Sequence, residues 1–418
     1  MGTDLAHARA EAHERANSVP LDAINLTDTA LWASDSVLPY FERLRHEDPV
    51  HYHPSGQHPG GAYWSVTRFH DIVAVDSDHN NFSSSPNITL DDDFAPGFIA
   101  MDPPKHDVQR KAVTPSVSPG RLRDLEPLIR SRMQKCLDDL PVGEPFDWVD
   151  KVSIELTGQM LATLFDFPFE DRRKLTYWSD MISADPTSPL YTPDNWQAEF
   201  QAVMDEAYSV FIELWNERAD AEPRDDLISM MAHSPAMKDM SPEEYLGNLM
   251  LLIVGGNDTT RNSMTGSVYA MHRFPEQRAK LDRDAALLPS MISETIRWQT
   301  PLAYMRRTAT GDVELGGKTI REGDKVAMWY LSGNRDETVI DRPNDYLIDR
   351  PNARRHLSFG FGIHRCVGNR LAELQLKILW EEIATRFPEI VVTAEPERVP
   401  NSFVRGYTSM QVVIPRRL

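Results

Sequence analysis

Apolar residues recur mostly at spacings of three and four, the period of helices that bury one face. Residues 4–17 read as a short Ala-rich helix. Ser36 to His46 places Val37, Leu38, Phe41 and Leu44 on one side. Residues 121–140 put Leu122, Leu125, Ile129, Met133, Cys136 and Leu140 on one stripe, which makes Cys136 a core residue. Helical patterns continue to about residue 180, and a stretch with three prolines, SADPTSPLYTPDN, then separates two helices. The strongest helix starts at Ser241: serine caps, Pro242 fits the first position, and Glu244 completes a capping box. It runs to Arg273, where Phe274-Pro275 stops it. Strand patterns are short: a hairpin over 51–67, strands with turns at Gly316-Gly317 and Glu322-Gly323, and a strand pair over 402–414. Residues 81–104 have little period and several breakers, so they form a long loop, a frequent place for function. Ile88, Leu90, Phe98 and Ile99 make that loop too apolar to be simply solvated. The fold expected is mainly α with small β-sheets to one side.

Composition narrows the function classes. A formal charge of −19 opposes binding to nucleic acid and to anionic membrane surfaces. No apolar run of about 18 residues exists, so no membrane span is expected. The polar first residues, MGTDLAHARAEAHERAN, lack the apolar core of a signal peptide. Two distant cysteines suggest a reducing cytoplasm.

The chemistry concentrates in HLSFGFGIHRCVG, residues 356–368. Cys366 precedes a helical pattern, so backbone N–H groups and the positive helix end favour its thiolate. A thiolate can ligate haem iron and favour O–O cleavage of bound oxygen. Gly360, Gly362 and Gly368 allow the backbone to pass close to a flat ring. The plainer reading of Cys366 is a small buried hydrophobe, but that role has no use for three glycines, His364 and Arg365 nearby. Zinc lacks paired Cys/His spacing, and a nucleophile elbow would need glycine where His364 stands.

Inside the strongest helix lies Gly255-Gly256-Asn257-Asp258-Thr259-Thr260. Two glycines within a helix cost roughly 1 kcal/mol each against alanine, so something offsets them. Either another helix packs closely there, or the helix opens a groove for dioxygen, with Gly255 and Thr259 on one face. A phosphate loop is excluded, because no strand precedes the glycines and no lysine follows.

Phe359-x-x-Gly362-x-His364-x-Cys366-x-Gly368 resembles the haem-ligand signature of the cytochrome P450 superfamily, with histidine where many members have arginine. The resemblance implies a single haem-binding domain over residues 1–418, with 1–20 as an N-terminal helical extension. It implies haem b (iron protoporphyrin IX) with Cys366 as the axial ligand, and places Phe359, Gly368 and Gly255 against the cofactor. His106 and Arg110, an H-x-x-x-R pair on one helix face, resemble the family's propionate pair; Arg307 and His364 join them. Gly255-Gly256-x-Asp258-Thr259 resembles the oxygen-activation motif, with Thr259 bonding oxygen and Asp258 passing protons. Glu294-x-x-Arg297 resembles the family's buried pair, whose third member is commonly a P-x-R-F arginine. Asp345 stands there instead, and Arg350 is the substitute. Family position puts Ile88, Leu90, Phe98, Leu251, Leu252, Leu302, Ala303, Phe403 and Val404 around the substrate, and makes residues 183–195 a lid, though an ordinary connector is as compatible with the sequence.

MDPPKHDVQRKAV, LLIVGGNDTTRNSM, WYLSGNRDE and HLSFGFGIHRCVGNRLAELQL together resemble the bacterial alkane-hydroxylating subfamily. That implies a monooxygenase acting on O2 and a small apolar substrate, at the terminal carbon of medium-chain linear alkanes, fatty acids or alcohols. Electrons would come from an iron–sulfur ferredoxin and an NAD(P)H ferredoxin reductase. Residues 351–377 carry five Lys/Arg against Glu373 alone, a basic patch suited either to an acidic donor protein or to holding propionates and helix ends. Two alternatives stand: the same chemistry on a bulkier terpene-like or polyketide-like substrate, and a haem carrier or sensor without turnover. The Asp258-Thr259 pair argues against the second.

Overall fold

Pro242–Arg273 is a single helix of 32 residues, and other helices pack around it. The structure, a computed structural model, describes residues 2–91, 97–186 and 188–418, with side chains from residue 10 onward. The centre of the expected loop, residues 92–96, and Thr187 of the expected lid lie outside the described residues. Ser241 Oγ accepts from Glu244 N at 3.2 Å, as a cap should. The reciprocal half of the capping box is corrected, however. The Glu244 carboxylate accepts from Lys105 Nζ at 2.7 Å and from Gln109 Nε2. It thereby ties the start of the long helix to Lys105–Val113, the helix of His106 and Arg110.

Towards its C-terminal end the long helix is buried on all sides. Met264, Val268, Tyr269 and Met271 share a core with Trp298 of Leu288–Gln299 and Trp380 of Asn369–Ala384. Trp380 Nε1 donates to Ser267 Oγ at 2.9 Å, which satisfies the indole without opening the core. Pro119–Asp138 buries Leu122, Leu125, Ile129, Met133 and Leu137. Cys136 is half-buried at the edge of that core, its thiol donating to Lys151 O at 3.4 Å.

The larger sheet joins segments far apart in sequence. Val50–His53 and Tyr63–Val66 form the expected hairpin, Val50 opposite Val66. Tyr63–Val66 runs parallel to Lys325–Met328, which pairs antiparallel with Met305–Ala309; Phe82–Ser83 closes the far edge. The strand pair expected near the C-terminus is corrected. Tyr407–Ser409 pairs with Glu397–Arg398, whereas Gln411–Val413 lies between Pro145–Asp147 and Val391–Val392. Met410 between them is buried, its N–H donating to Asp147 Oδ1 and its carbonyl accepting from Trp148 N. That pulls the second strand into a different sheet. Gly2–Ser18 is a helix whose Ala12 and Ala16 are buried, and Arg43 donates to the carbonyls of Ala16 and Val19.

The hairpin carries a pH dependence. His53 is fully buried, Nδ1 with Gln57 Oε1 at 2.9 Å and Nε2 with Ser65 Oγ at 2.8 Å. Burial pulls its pKa down to about 4. The native ring is therefore neutral where the unfolded ring, near pH 6.5, takes a proton. Its contribution is present above about pH 6.5 and is lost as pH falls towards 4. Between about pH 6.5 and about pH 4.5 the parent is expected to lose roughly 2 kcal/mol more than His53→Gln. Denaturant unfolding at both pH values checks this; equal losses would show that another group governs the acid limb.

Candidate haem and oxygen site

Cys366 ends the loop that leads into Asn369–Ala384, with Gly368 at the N-cap. Its N–H donates to Phe359 O at 2.8 Å, closing the loop. Gly360 and Gly362 have φ of +66° and +65°, the left-handed region that glycine enters without cost. The Cys366 side chain is exposed to a cavity and enclosed by the protein around it. Burial therefore pushes the thiol up, against the N–H groups of Gly368 and Asn369 and the charges of Arg110 and Arg365. The helix-terminal N–H groups and the arginines favour the thiolate that an iron ligand needs, and desolvation opposes it.

The cavity has about 1510 Å³ free of protein atoms, mouth included. Its walls come from the long helix, the cysteine loop and the helix that carries Arg110. Gly255 and Gly368 both line it, and a Cβ on either would meet nothing within 4 Å. A Cβ on Gly256 would sit 2.8 Å from Leu161 Cδ2. Gly256 thus admits the neighbouring helix that carries Leu161, and Gly255 faces open space in the cavity. Thr259 faces the same cavity, its hydroxyl donating to Gly255 O at 2.8 Å, one turn back.

One edge of the cavity is cationic. Arg110, Arg307 and His364 line it, and the His106 and His364 rings lie 4.2 Å apart. His106 Nε2 and both ring nitrogens of His364 are buried without a partner among the described residues. An unsatisfied buried polar group costs about 1–3 kcal/mol, so these atoms are set to meet an acceptor such as a carboxylate. With the open glycines and the thiol, the residues present fit a haem and its propionates.

Asp258 lies elsewhere. It is fully buried on the long helix, Oδ1 accepting from Ser179 Oγ at 3.0 Å and ion-paired with Arg261 Nη2 at 3.0 Å, Oδ2 accepting from Ser183 Oγ at 3.0 Å. Arg261 also pairs with Asp180. Burial raises the Asp258 carboxyl, against the pull of Arg261, Ser183 and Ser179. It reaches the cavity only through its neighbour in the chain, Thr259.

Phe98, Leu251, Leu252 and Leu302 line the cavity, and five others of the expected substrate wall do not. Leu90 and Ala303 belong to a separate core with Tyr304 and Trp329. Phe403 packs edge-on to Tyr304 at 5.3 Å, and Val404 bridges Leu302 through the backbone. Ile88 is half-buried, its carbonyl accepting from Arg306 N. The reason is extended geometry: neighbours alternate sides, so Leu302 faces the cavity and Ala303 the core. Sequence reasoning missed Leu161, Leu164, Leu227 and Met305 in the wall, since helical periodicity marks a buried face but not which cavity it faces.

Behind the cysteine loop, Glu294 and Arg297 form a buried bidentate pair at 2.7 and 2.8 Å. Arg350 Nε donates to Glu294 Oε2 at 3.0 Å and Leu347 N to Oε1 at 2.9 Å. The structure thus brings Arg350 to the third position. Asp345 contributes its backbone carbonyl, accepting from both arginines.

A mainly helical fold with small side sheets, a glycine-lined cavity and a cysteine loop facing the paired glycines of the long helix define a haem-thiolate protein. The sequence profile of the cytochrome P450 family matches residues 69–411, and the chain belongs to that family. A cytochrome P450-153 from Novosphingobium aromaticivorans is 47% identical, with a TM-score of 0.86 over 93% of this chain and 98% of that one. CYP153D17 from Sphingomonas sp. PAMC 26605 is 48% identical, with a TM-score of 0.88 over 95% and 100%. The linalool 8-monooxygenase of Pseudomonas putida is 33% identical over 90% of this chain and 94% of its own length. A methyl-branched lipid omega-hydroxylase of Mycobacterium tuberculosis is 31% identical over 94% and 95%. The protein is a monooxygenase of this family, working with haem iron, dioxygen and redox partners. Among the described residues, no helix is long and apolar enough to cross a membrane.

Proposed function

We propose that this chain binds haem b through Cys366 and hydroxylates the terminal carbon of medium-chain linear alkanes, fatty acids or alcohols. When bound, thiolate-ligated haem iron activates dioxygen, so that one oxygen atom enters a C–H bond and the other leaves as water. His106, Arg110, Arg307 and His364 would hold the propionates. Gly255 leaves room over the ring, and Thr259 places its hydroxyl there. Asp258 precedes Thr259 in the chain and would relay protons towards it, with Ser179 and Ser183 fixing its orientation. Glu294, Arg297 and Arg350 brace the loop that carries Cys366.

The observation that carries the substrate reading is the apolar wall of Phe98, Leu251, Leu252 and Leu302 facing the Gly255–Thr259 groove. Terminal attack requires such a wall to exclude the weaker secondary C–H bonds. The omega-hydroxylase relative supports it by name, as attack at a chain end. The linalool relative favours a second reading, a compact terpene-like substrate. Optical titration of the ferric protein with a linear alkane or fatty acid tests the choice. A Soret shift as water leaves the iron is expected with linear chains. A shift with terpenes and none with linear chains would favour the second reading.

Arg110, Arg365 and Arg370 border a shallow groove beside Cys366. This basic groove supports docking of an acidic iron–sulfur ferredoxin, fed by an NAD(P)H ferredoxin reductase, in the cytoplasm. Thr259→Ala is expected to keep haem but release electrons as peroxide. Since a positioned proton donor contributes roughly 10²–10⁴-fold, product per NAD(P)H consumed should fall at least about tenfold. Unchanged coupling would remove Thr259 from this role.

A further inference from the structure

Asp76 is a buried carboxylate on the cavity wall, in the short helix Phe69–Ser77. Three groups from distant segments donate to it. Arg307 Nη2 reaches Oδ1 at 2.7 Å, and Tyr330 Oη and Phe361 N reach Oδ2 at 2.9 and 2.7 Å. All three are donors. The Asp76 side chain accepts from all of them, whereas an amide would set its own N–H groups against at least one. The main chain of Asp76 also meets the cysteine loop: a Cβ on Gly362 would fall 2.5 Å from Asp76 O. Arg307 gives Asp76 one N–H and Arg306 O another, at 3.0 Å. A guanidinium has five N–H donors, so donors remain on the side that lines the cavity next to His364.

We propose that Asp76 is a positioning residue for the cofactor's carboxylate edge, locking the Arg307 guanidinium and the Gly360–Gly362 turn into one rigid unit. It rests on reading the cavity as the haem site with Arg307 at a propionate. Arg307 then meets the propionate in a set orientation, and its charge is already paired. The cofactor edge experiences an ion pair rather than a free cation.

The test is haem transfer from purified ferric holoprotein to excess apomyoglobin, with the reduction potential as a second readout. Asp76→Asn should lose haem about tenfold faster, the low end for a residue that orients a ligand from behind. Its potential should move positive, because a negative charge beside the cofactor is removed. Arg307→Leu should also lose haem faster, and the double variant no faster than Arg307→Leu alone, since Asp76 acts through Arg307. Asp76→Glu, which keeps the charge and both acceptors, should recover part of the retention. Additive losses in the double variant, or an unmoved potential in Asp76→Asn, would overturn the proposal. Should Asp76→Asn not accumulate folded, Arg307→Lys carries the test. A single ammonium cannot serve Asp76, the Arg306 carbonyl and a propionate together, so haem loss again quickens about tenfold; an unchanged rate overturns the proposal. Failure of the underlying reading looks different: Arg307→Leu alone then leaves haem transfer unchanged, and the proposal falls with it.

Discussion

Replacing Glu294 with glutamine is expected to destabilise the fold by about 3–5 kcal/mol, the usual cost of removing one partner from a buried ion pair. Each carboxylate oxygen now accepts twice, Oε1 from Arg297 Nη2 and Leu347 N, Oε2 from Arg297 Nε and Arg350 Nε. Glutamine offers one acceptor oxygen and turns an N–H₂ towards an arginine. Two buried guanidinium groups are then left with no carboxylate between them. The damage reaches the site through a short path. Arg297 holds the Asn334 carbonyl at 2.8 Å, and the Asn334 side chain holds Leu357 N and Ser358 Oγ at the start of the cysteine loop. Denaturant unfolding should show the loss in stability, and the variant should hold haem less well than the parent. A loss under about 1 kcal/mol would place the triad among ordinary surface pairs.

Cys366→Ala should abolish hydroxylation while the fold persists. The loop conformation belongs to Gly360, Gly362 and the Cys366 N–H bond to Phe359 O, none of which needs the sulfur. What disappears is the anionic ligand, and the N–H groups of Gly368 and Asn369 lose their sulfur acceptor. The reduced carbon monoxide complex should lose the thiolate band, even where haem is retained by the cationic edge. Circular dichroism should match the parent. A thiolate-type carbon monoxide spectrum in this variant would refute the ligand assignment.

The long helix, the hairpin and the cysteine loop were legible in the sequence because each rests on local rules. Ser241 and Pro242 start the helix by capping, Phe274-Pro275 stops it, and glycines mark the turns. The motifs around Cys366, Thr259 and Glu294 were legible for the same reason, since each lies within about ten residues. Tertiary structure decided the remainder. Whether Leu302 or Ala303 faced the cavity depended on which way an irregular extended segment turned against Val404. Arg350 became the third partner of Glu294 only because the fold brings residue 350 beside residue 294. Asp258 turned away from the cavity because Ser179, Ser183 and Arg261 met it on the other side. Asp76 carried no sequence signal, since its partners at 307, 330 and 361 are assembled by three separate segments. Local pattern specifies elements and short motifs; the sharing of one buried charge among distant donors exists only once the chain has folded.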